Sequence, residues 1–269
     1  MKKIIIILII LGCLNITAKA QFGGGLGTES SPYEIYTKAH LEELADSVNA
    51  GNSFFEKFFV QKQDINEPVT NPIGYIRIGS PKDSSRGFSG NFNGENYKIT
   101  LNIDNKKSLS GLFGYINNAT IHNVITTGYV NGESYTAAIV GWADSSNIFH
   151  CISMARVDAG SSVAGIVGVI TNGCKISFCQ NLGAIEGYFC VGGIVGHAGW
   201  DDYDGTNGNI VSHSVNAGYI KGKMGGISGI VGHLGNWQDE ANTTVIFCIN
   251  VGVVEGPPQR VSGIANIPE

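Results

Sequence analysis

Apolar positions along this chain follow three patterns in turn. Ile4 to Leu11 form an unbroken apolar run behind Lys2 and Lys3. Leu41, Leu44, Ala45 and Val48 then recur at the spacing of one helix face. Thr37 stands where an N-cap belongs and Asn49-Ala50-Gly51 is a stop signal, which predicts a helix over residues 37–50. Beyond it the apolar residues alternate or fall in short runs, as half-buried strands do. Tyr33 to Tyr36, Phe54 to Gln63, Tyr75 to Ile78 and Tyr97 to Ile103 read as strands, with a loop carrying Pro68 and Pro72 between the second and third.

From residue 105 the pattern repeats. The box Gly165-Ile166-Val167-Gly168 recurs as Gly111-Leu112-Phe113-Gly114, Ala138-Ile139-Val140-Gly141, Gly193-Ile194-Val195-Gly196 and Gly229-Ile230-Val231-Gly232. A broken copy, Gly263-Ile264-Ala265-Asn266, follows, and the steps are 27, 27, 28, 36 and 34 residues. Self-similarity at such a period is the mark of a solenoid. Each copy has three short apolar runs separated by Gly, Asn and Asp, shown in the third as Ala164 to Val167, Lys175 to Cys179 and Gly183 to Gly187. The predicted fold is all-β, a parallel β-helix of about 27-residue, three-strand rungs with an N-terminal helical cap. A rung buries only three or four apolar side chains at roughly 1.5–3 kcal/mol each, and the entropy of ordering the rung largely cancels that gain, so the fold depends on stacking.

The ends divide the chain. Residues 1–20, closing on Ala18-Lys19-Ala20, read as a signal peptide whose apolar run is too short to span a bilayer. Export follows, with the mature chain beginning near Gln21. Ile10-Leu11-Gly12-Cys13 is an imperfect lipoprotein box, so a lipid anchor on Cys13 is the alternative. Residues 21–36 form a Gly/Ser-rich lead-in, 37–104 the helical cap and first irregular rungs, and 105–269 the repeats. Seventeen Lys and Arg against 22 Asp and Glu give a net charge of -5, which lacks the basic footprint that nucleic acid requires.

Five cysteines remain after Cys13: Cys151, Cys174, Cys179, Cys190 and Cys248. Aligned on the boxes, Val124, Cys151, Cys179, Ser214 and Cys248 occupy equivalent places. In-register neighbours hold their Cβ atoms nearer ~4.8 Å than the ~3.8 Å of a disulfide, so the column predicts stacked, buried thiols.

The boxes, each followed by an apolar-x-x-Cys/Val strand and a Gly-x-Val/Ile-x-Gly close such as Gly252-Val253-Val254-Glu255-Gly256, resemble the GLUG motif. That repeat occurs in exported bacterial surface proteins, including adhesin-like chains and non-catalytic parts of immunoglobulin A proteases. The lead-in Gly27 to Ile35 with Leu41 to Asn49 looks like the start of such proteins in the Bacteroidetes. The resemblance implies a cell-surface or secreted β-solenoid and brings no catalytic residues. The His-Glu-x-x-His helix of the proteases has no counterpart here. The chain reaches Glu269 within a fresh repeat and without an evident cap, and an uncovered end invites association through its strand edges.

Candidate chemistry lies in two insertions that follow the same box, residues 197–209 and 233–240. Equivalent positions in adjacent rungs set both on one edge of the solenoid, where insertions are often the binding face. Trp200, Tyr203, Trp237, His197 and His233 are candidates to stack on sugar rings or contact a surface protein, and Trp142 shares the position of the two histidines. Asp202, Asp204, Asn207 and Asn209 alternate around a turn glycine in the manner of a loose calcium loop, without the far bidentate Glu of an EF-hand. Asp144, Asp158 and Glu186 read as scattered around the rung, which leaves Asp201, Asp202, Asp204, Asp239 and Glu240 as the nearest carboxylate group, in loops rather than on rigid strands. Lys221 and Lys223 read as a solvated turn. The expected role is a non-enzymatic adhesion or scaffold module binding an extracellular glycan or surface protein. A carbohydrate-active β-helix enzyme of lyase or hydrolase type is the alternative, and a spacer without ligand the third reading.

Overall fold

The computed structural model describes residues 22–74, 87–199, 208–235 and 243–265, and the strand expected over Tyr75 to Ile78 lies outside them. One α-helix, Lys38–Asn49, forms where the apolar spacing predicts it, and the Thr37 hydroxyl accepts from the His40 amide at 3.4 Å. Leu41, Leu44, Ala45 and Val48 are buried and join the same apolar core as Ile65, Val69 and Ile73. Nearly all the other regular structure among the described residues is strand, in four parallel sheets.

The third repeat shows how the chain visits them. Ser161–Ala164 lies on sheet 1, Val167–Thr171 on sheet 2, Lys175–Ser177 on sheet 3, and Gln180–Asn181 with Ile185–Gly187 on sheet 4. Each strand pairs with its counterparts in the repeats before and after, so that on sheet 2 Val167 stands beside Val140 and Val195. Parallel stacking of this kind is β-solenoid architecture. It uses five short strands per repeat where three apolar runs were expected. Part of the extra division arises because the chain turns a corner in the first half of the box before its second half starts a strand. Gly165 and Ile166 turn the chain from sheet 1 into sheet 2, and Ile166 is fully buried.

The two box glycines answer to different neighbours. A Cβ on the second would strike the box of the preceding repeat: Gly141 meets the Gly114 carbonyl at 2.6 Å, Gly168 that of Gly141 at 2.5 Å, and Gly196 that of Gly168 at 2.7 Å. In the last three full boxes a Cβ on the first would strike an asparagine amide of its own repeat. Gly165 would stand 2.3 Å from Asn181 Oδ1, Gly193 2.5 Å from the Asn216 amide carbon, and Gly229 2.2 Å from that of Asn250. These asparagines form a directional ladder: Asn181 Nδ2 donates to Asn216 Oδ1 and Asn216 Nδ2 to Asn250 Oδ1, both at 2.8 Å. The register continues the column back to Ser153 and Thr126. In the repeat that carries Ser153, the first box position is Ala138 rather than glycine.

The predicted cysteine column stands in register next to this ladder. Val124, Cys151, Cys179 and Ser214 are buried, Cys248 is partly so, and the cysteines among the described residues are free thiols. Cys151 Sγ reaches the Phe149 carbonyl at 3.4 Å and Cys179 Sγ that of Ser177 at 3.3 Å. Burial, then the neighbouring Cys179, pushes the Cys151 thiol well above its ordinary range, which keeps it protonated. Before the boxes, the expected Pro-punctuated loop is in part a strand, Ile65–Val69. Its pairing with the strand Lys98–Asp104 shifts register between Ile65 and Val69, and that irregularity is where Pro68 is tolerated.

The fit of box to ladder gives a testable coupling. Gly165→Ala should cost about 1–3 kcal/mol by overpacking against Asn181. Asn181→Ser should also destabilise, by unpairing Asn216. The double variant restores the Ala138–Ser153 combination and should be less destabilised than the sum of the two by at least about 0.5 kcal/mol. Urea midpoints of the four proteins measure this, and strict additivity would refute the fit.

Candidate functional site

The two insertions leave and return at neighbouring points. On sheet 2 their leading strands, Val195–Ala198 and Val231–Leu234, pair Ala198 with Leu234. On sheet 3 their trailing strands, Asn209–Ser212 and Thr243–Ile246, pair Asn209 with Thr243. Trp200, Asp201, Asp202, Tyr203, Asp204, Asn207, Trp237, Asp239 and Glu240 lie outside the described residues. His197, His233 and Asn209 lie within them, and the structure gives each an interior position.

His197 is fully buried and His233 is 3% exposed, with ring centroids 4.8 Å apart in an edge-to-face pair. His197 Nε2 donates to the Gly235 carbonyl at 2.6 Å. Burial, moderated by that hydrogen bond and reinforced by His233, pulls the His197 imidazole down to about 4, and burial lowers His233 as well. The expectation that these rings face a ligand is therefore corrected: they pack in one column with Val169 and Trp142, and neither offers a face to solvent. Asn209 is also buried. Its Oδ1 accepts from the amides of Gly173 at 3.1 Å and Cys174 at 2.9 Å, and its Nδ2 donates to the Thr243 hydroxyl at 3.4 Å. The oxygen expected to bind calcium is committed to the backbone, so Asn209 is a corner strut. Among the described residues no group of three or more His, Cys, Asp or Glu side chains is arranged to hold a metal.

Two outward features were not singled out by the sequence pattern. The first is a ring column at the corner between sheets 3 and 4. Asn123, His150, Phe178, His213 and Phe247 precede the cysteine column by one residue, and each has a φ between 48 and 54°. This left-handed backbone suits asparagine and costs other L-residues roughly 1–2 kcal/mol. The rings pack along the solenoid, with centroids 5.2 Å apart for His150 and Phe178, 4.8 Å for Phe178 and His213, and 5.1 Å for His213 and Phe247. His150 and His213 are exposed, Phe178 is 50% exposed and Phe247 69%. Sheet 3 lies between this column and the corner from which the insertions spring.

The second is a polar column on sheet 4. Asp158 is the register partner of both Asn131 and Glu186, and Glu186 that of Lys221. The scatter expected of Asp158 and Glu186 is thus corrected: they are cross-strand neighbours on rigid strands, and only Asp144 stands elsewhere, on sheet 2. Arg156 ties the pair together, with Nε 2.9 Å from Asp158 Oδ2 and Nη2 3.3 Å from Glu186 Oε2. Lys223, expected in a solvated turn, lies 3.8 Å from Glu186 Oε1. Asp158 in turn raises the Arg156 guanidinium above its usual range.

Comparison with known proteins bears on the fold. A solved structure from Bacteroides ovatus, of a protein named as an immunoglobulin A1 protease, matches with a TM-score of 0.62 at 16% identity, covering 92% of this chain and 77% of that one. At that identity the likeness shows the fold. A protein named as a Gly-rich membrane protein from Evansella cellulosilytica is 33% identical over 149 residues, which is 52% of this chain and 16% of that protein. Halomucin from Haloquadratum walsbyi is 28% identical over 186 residues, 65% of this chain and 2% of its own. The chain thus spans only 16% and 2% of the lengths of these two curated relatives. No family model matches it. Among the described residues no helix is long and apolar enough to cross a membrane.

The buried histidines carry a pH dependence. Folding lowers the His197 pKa from about 6.5 to about 4, so between these values the unfolded chain binds more protons and stability rises with pH. Stability should be complete above about pH 6.5 and fall by up to about 3 kcal/mol as pH approaches 4, with His233 acting in the same direction. His197→Val, which copies Val169 one repeat earlier, should flatten that slope when denaturant midpoints are compared at neutral and mildly acid pH. An unchanged slope would assign the acid sensitivity to other groups.

Proposed function

We propose that this chain is an exported, non-enzymatic adhesion or scaffold module, a GLUG-type β-solenoid displayed at the cell surface or secreted. Its repeats act as rungs of about 27 residues, lengthened where insertions emerge, and the helix Lys38–Asn49 closes the N-terminal end of the stack. Delivery is by the signal segment, with a lipid anchor on Cys13 as the alternative. The binding face is sheet 3, flanked by the insertion corner with Trp200, Tyr203 and Trp237 and by the ring column with Phe178 and Phe247. Its partner is an extracellular glycan or a surface protein.

The observation that carries this reading is the ring column. Ring packing at most offsets the backbone cost of phenylalanine there, since Asn123 fills the same position without that cost. Half-exposed rings recover little burial energy, and ring-on-ring packing returns only about 0.5–1.5 kcal/mol. Exposed aromatic rings aligned along one corner of the stack suit a contact surface. The loop carboxylates do not displace this reading in favour of an enzyme. The carboxylates on rigid strands, Asp158 and Glu186, are already engaged by Arg156, which suits hydrogen bonding better than acid–base chemistry.

The test separates folding from contact. Phe178→Asn and Phe247→Asn should leave the melting temperature unchanged or raise it, since asparagine tolerates the left-handed backbone. The same variants, and Trp200→Ala with Trp237→Ala, should weaken adhesion of residues 21–269 to immobilised glycans or cell-surface protein by about tenfold or more. Adhesion that survives all four substitutions would remove sheet 3 from the mechanism. Turnover of a polysaccharide by the wild-type chain would replace the binder with an enzyme.

A further inference from the structure

We propose that the outer face of sheet 4 carries a binding subsite for a neutral sugar residue, built from Arg156, Asp158, Glu186 and Tyr188. It lies on a different sheet from the adhesion face and does not depend on it. A hollow of about 330 Å³ opens across four successive repeats, with Asn131, Arg156, Asp158, Glu186, Tyr188 and Lys223 among its lining residues. That volume stands at the lower end of the range for small-molecule sites, the size of one or two sugar rings.

Charge selects the ligand class. Two carboxylates and two cations line the hollow, and they are paired with one another: Arg156 with Asp158 and Glu186, Lys223 with Glu186. An anionic ligand is repelled by Asp158 and Glu186 and a cationic one by Arg156 and Lys223, so the paired charges give neither sign a net attraction. A neutral polyhydroxylated ligand meets neither repulsion. Its hydroxyls donate to carboxylate oxygens and accept from a guanidinium at once, as a sugar with adjacent hydroxyl groups does.

Asp158 Oδ1 is buried, and burial and then the nearby Asp158 carboxylate raise the Tyr129 phenol above its usual range. The oxygens left for a ligand hydroxyl are Asp158 Oδ2 and those of Glu186, which can accept beside the bonds from Arg156. Arg156 uses Nε and Nη2 on the two carboxylates, and a guanidinium has five N–H donors in a planar fork, so donors remain for ligand oxygens. The wall is Tyr188, 45% exposed, whose hydroxyl is tethered to Met224 Sδ at 2.9 Å. A tethered, exposed ring beside convergent polar groups is a platform for the apolar C–H face of a pyranose. These groups stand on or next to paired strands, so their spacing is set by the ladder and not by a loop.

The experiment uses the mature chain, residues 21–269, and ligand-observed NMR against neutral glucose, galactose, mannose and N-acetylhexosamine oligosaccharides, with uronate and sulfated oligosaccharides beside them. At least one neutral oligosaccharide should bind. Asp158→Asn, which keeps the side-chain shape, and Tyr188→Ala, which alters only the wall, should each weaken that binding by about tenfold. Leu26→Ser, at an exposed position of the lead-in that belongs to neither face, should leave it unchanged. Melting curves show that each variant is folded. Silence from every neutral oligosaccharide, a preference for the acidic ones, or indifference to both sheet-4 substitutions overturns the subsite. Binding lost through the loop and ring-column variants alone would refute this proposal while upholding the adhesion face, and the converse pattern would uphold the subsite alone.

Discussion

Contact between backbones at the second box glycine is the constraint on which the rest of this structure depends. Gly114, Gly141, Gly168, Gly196 and Gly232 stack so closely that a methyl group on any of the last four would stand within 2.7 Å of the carbonyl or backbone atoms of a neighbouring repeat. Glycine is needed there for approach rather than for unusual dihedrals. The strands leaving each corner then start at the same height and in the same phase. Backbone groups that no single repeat can satisfy are satisfied by the next, which is why a repeat that buries so few side chains is stable only in a stack.

Fixed phase turns sequence positions into columns, and each column then obeys its own chemistry. The interior column Thr126, Ser153, Asn181, Asn216 and Asn250 is polar, which would be costly for any member alone. Its asparagines persist because Asn181 and Asn216 each donate to the next repeat while Asn250 donates to the Gly252 carbonyl, and because the first box position gives way to make room: glycine beside asparagine, alanine beside serine. The adjoining thiol column solves the same geometry with small apolar groups whose Sγ atoms lean on carbonyls. Ladder and box form one steric unit, so substitutions within a repeat couple more strongly than substitutions between distant ones.

The parts legible in the sequence were those whose signal is local or recurs at an unbroken step. The helix carries its own cap and face, the boxes recur in every copy, and thiols fill three of the five aligned places in their column. The corner within the box escapes because a short apolar run such as Ala164 to Val167 looks the same whether it lies flat in one sheet or turns an isoleucine inward between two. The Asp158–Glu186 pair escaped for a different reason. The third repeat holds one residue more than the second, and the register locates it between sheets 2 and 3: Asp144 pairs with Thr171, but Asn147 with Lys175. Counting from the box therefore sets the two carboxylates one place apart, whereas the corner absorbs the extra residue and sheet 4 returns them to register. The ring column was within reach, since Asn, His, Phe, His and Phe stand directly before the aligned thiol column. Only the left-handed backbone shows that they turn outward together. The histidines following the boxes illustrate the converse: a polar residue beside an insertion suggests a ligand, but its column buries it.

Columns also indicate where to look for activity. Most interior positions are answered for by stacking, because they are small, apolar or paired as their neighbours demand; the Thr126, Ser153 and Ser162 hydroxyls are the small polar exceptions. Outward positions carry no such demand, so a residue there that is strained, exposed without return, or left short of a partner calls for a cause outside the chain. Phe178 and Phe247 meet the first two conditions on one edge of sheet 3, and Tyr188, 45% exposed, meets the second beside the paired charges of sheet 4. The two faces are joined by a corner but share no side chain in their proposed contacts, and in a stack held mainly by nearest neighbours each can change with little effect on the other. A solenoid of this kind can present separate partners with separate faces, and its affinity for an extended glycan would grow with the number of repeats in contact rather than with the perfection of any one site.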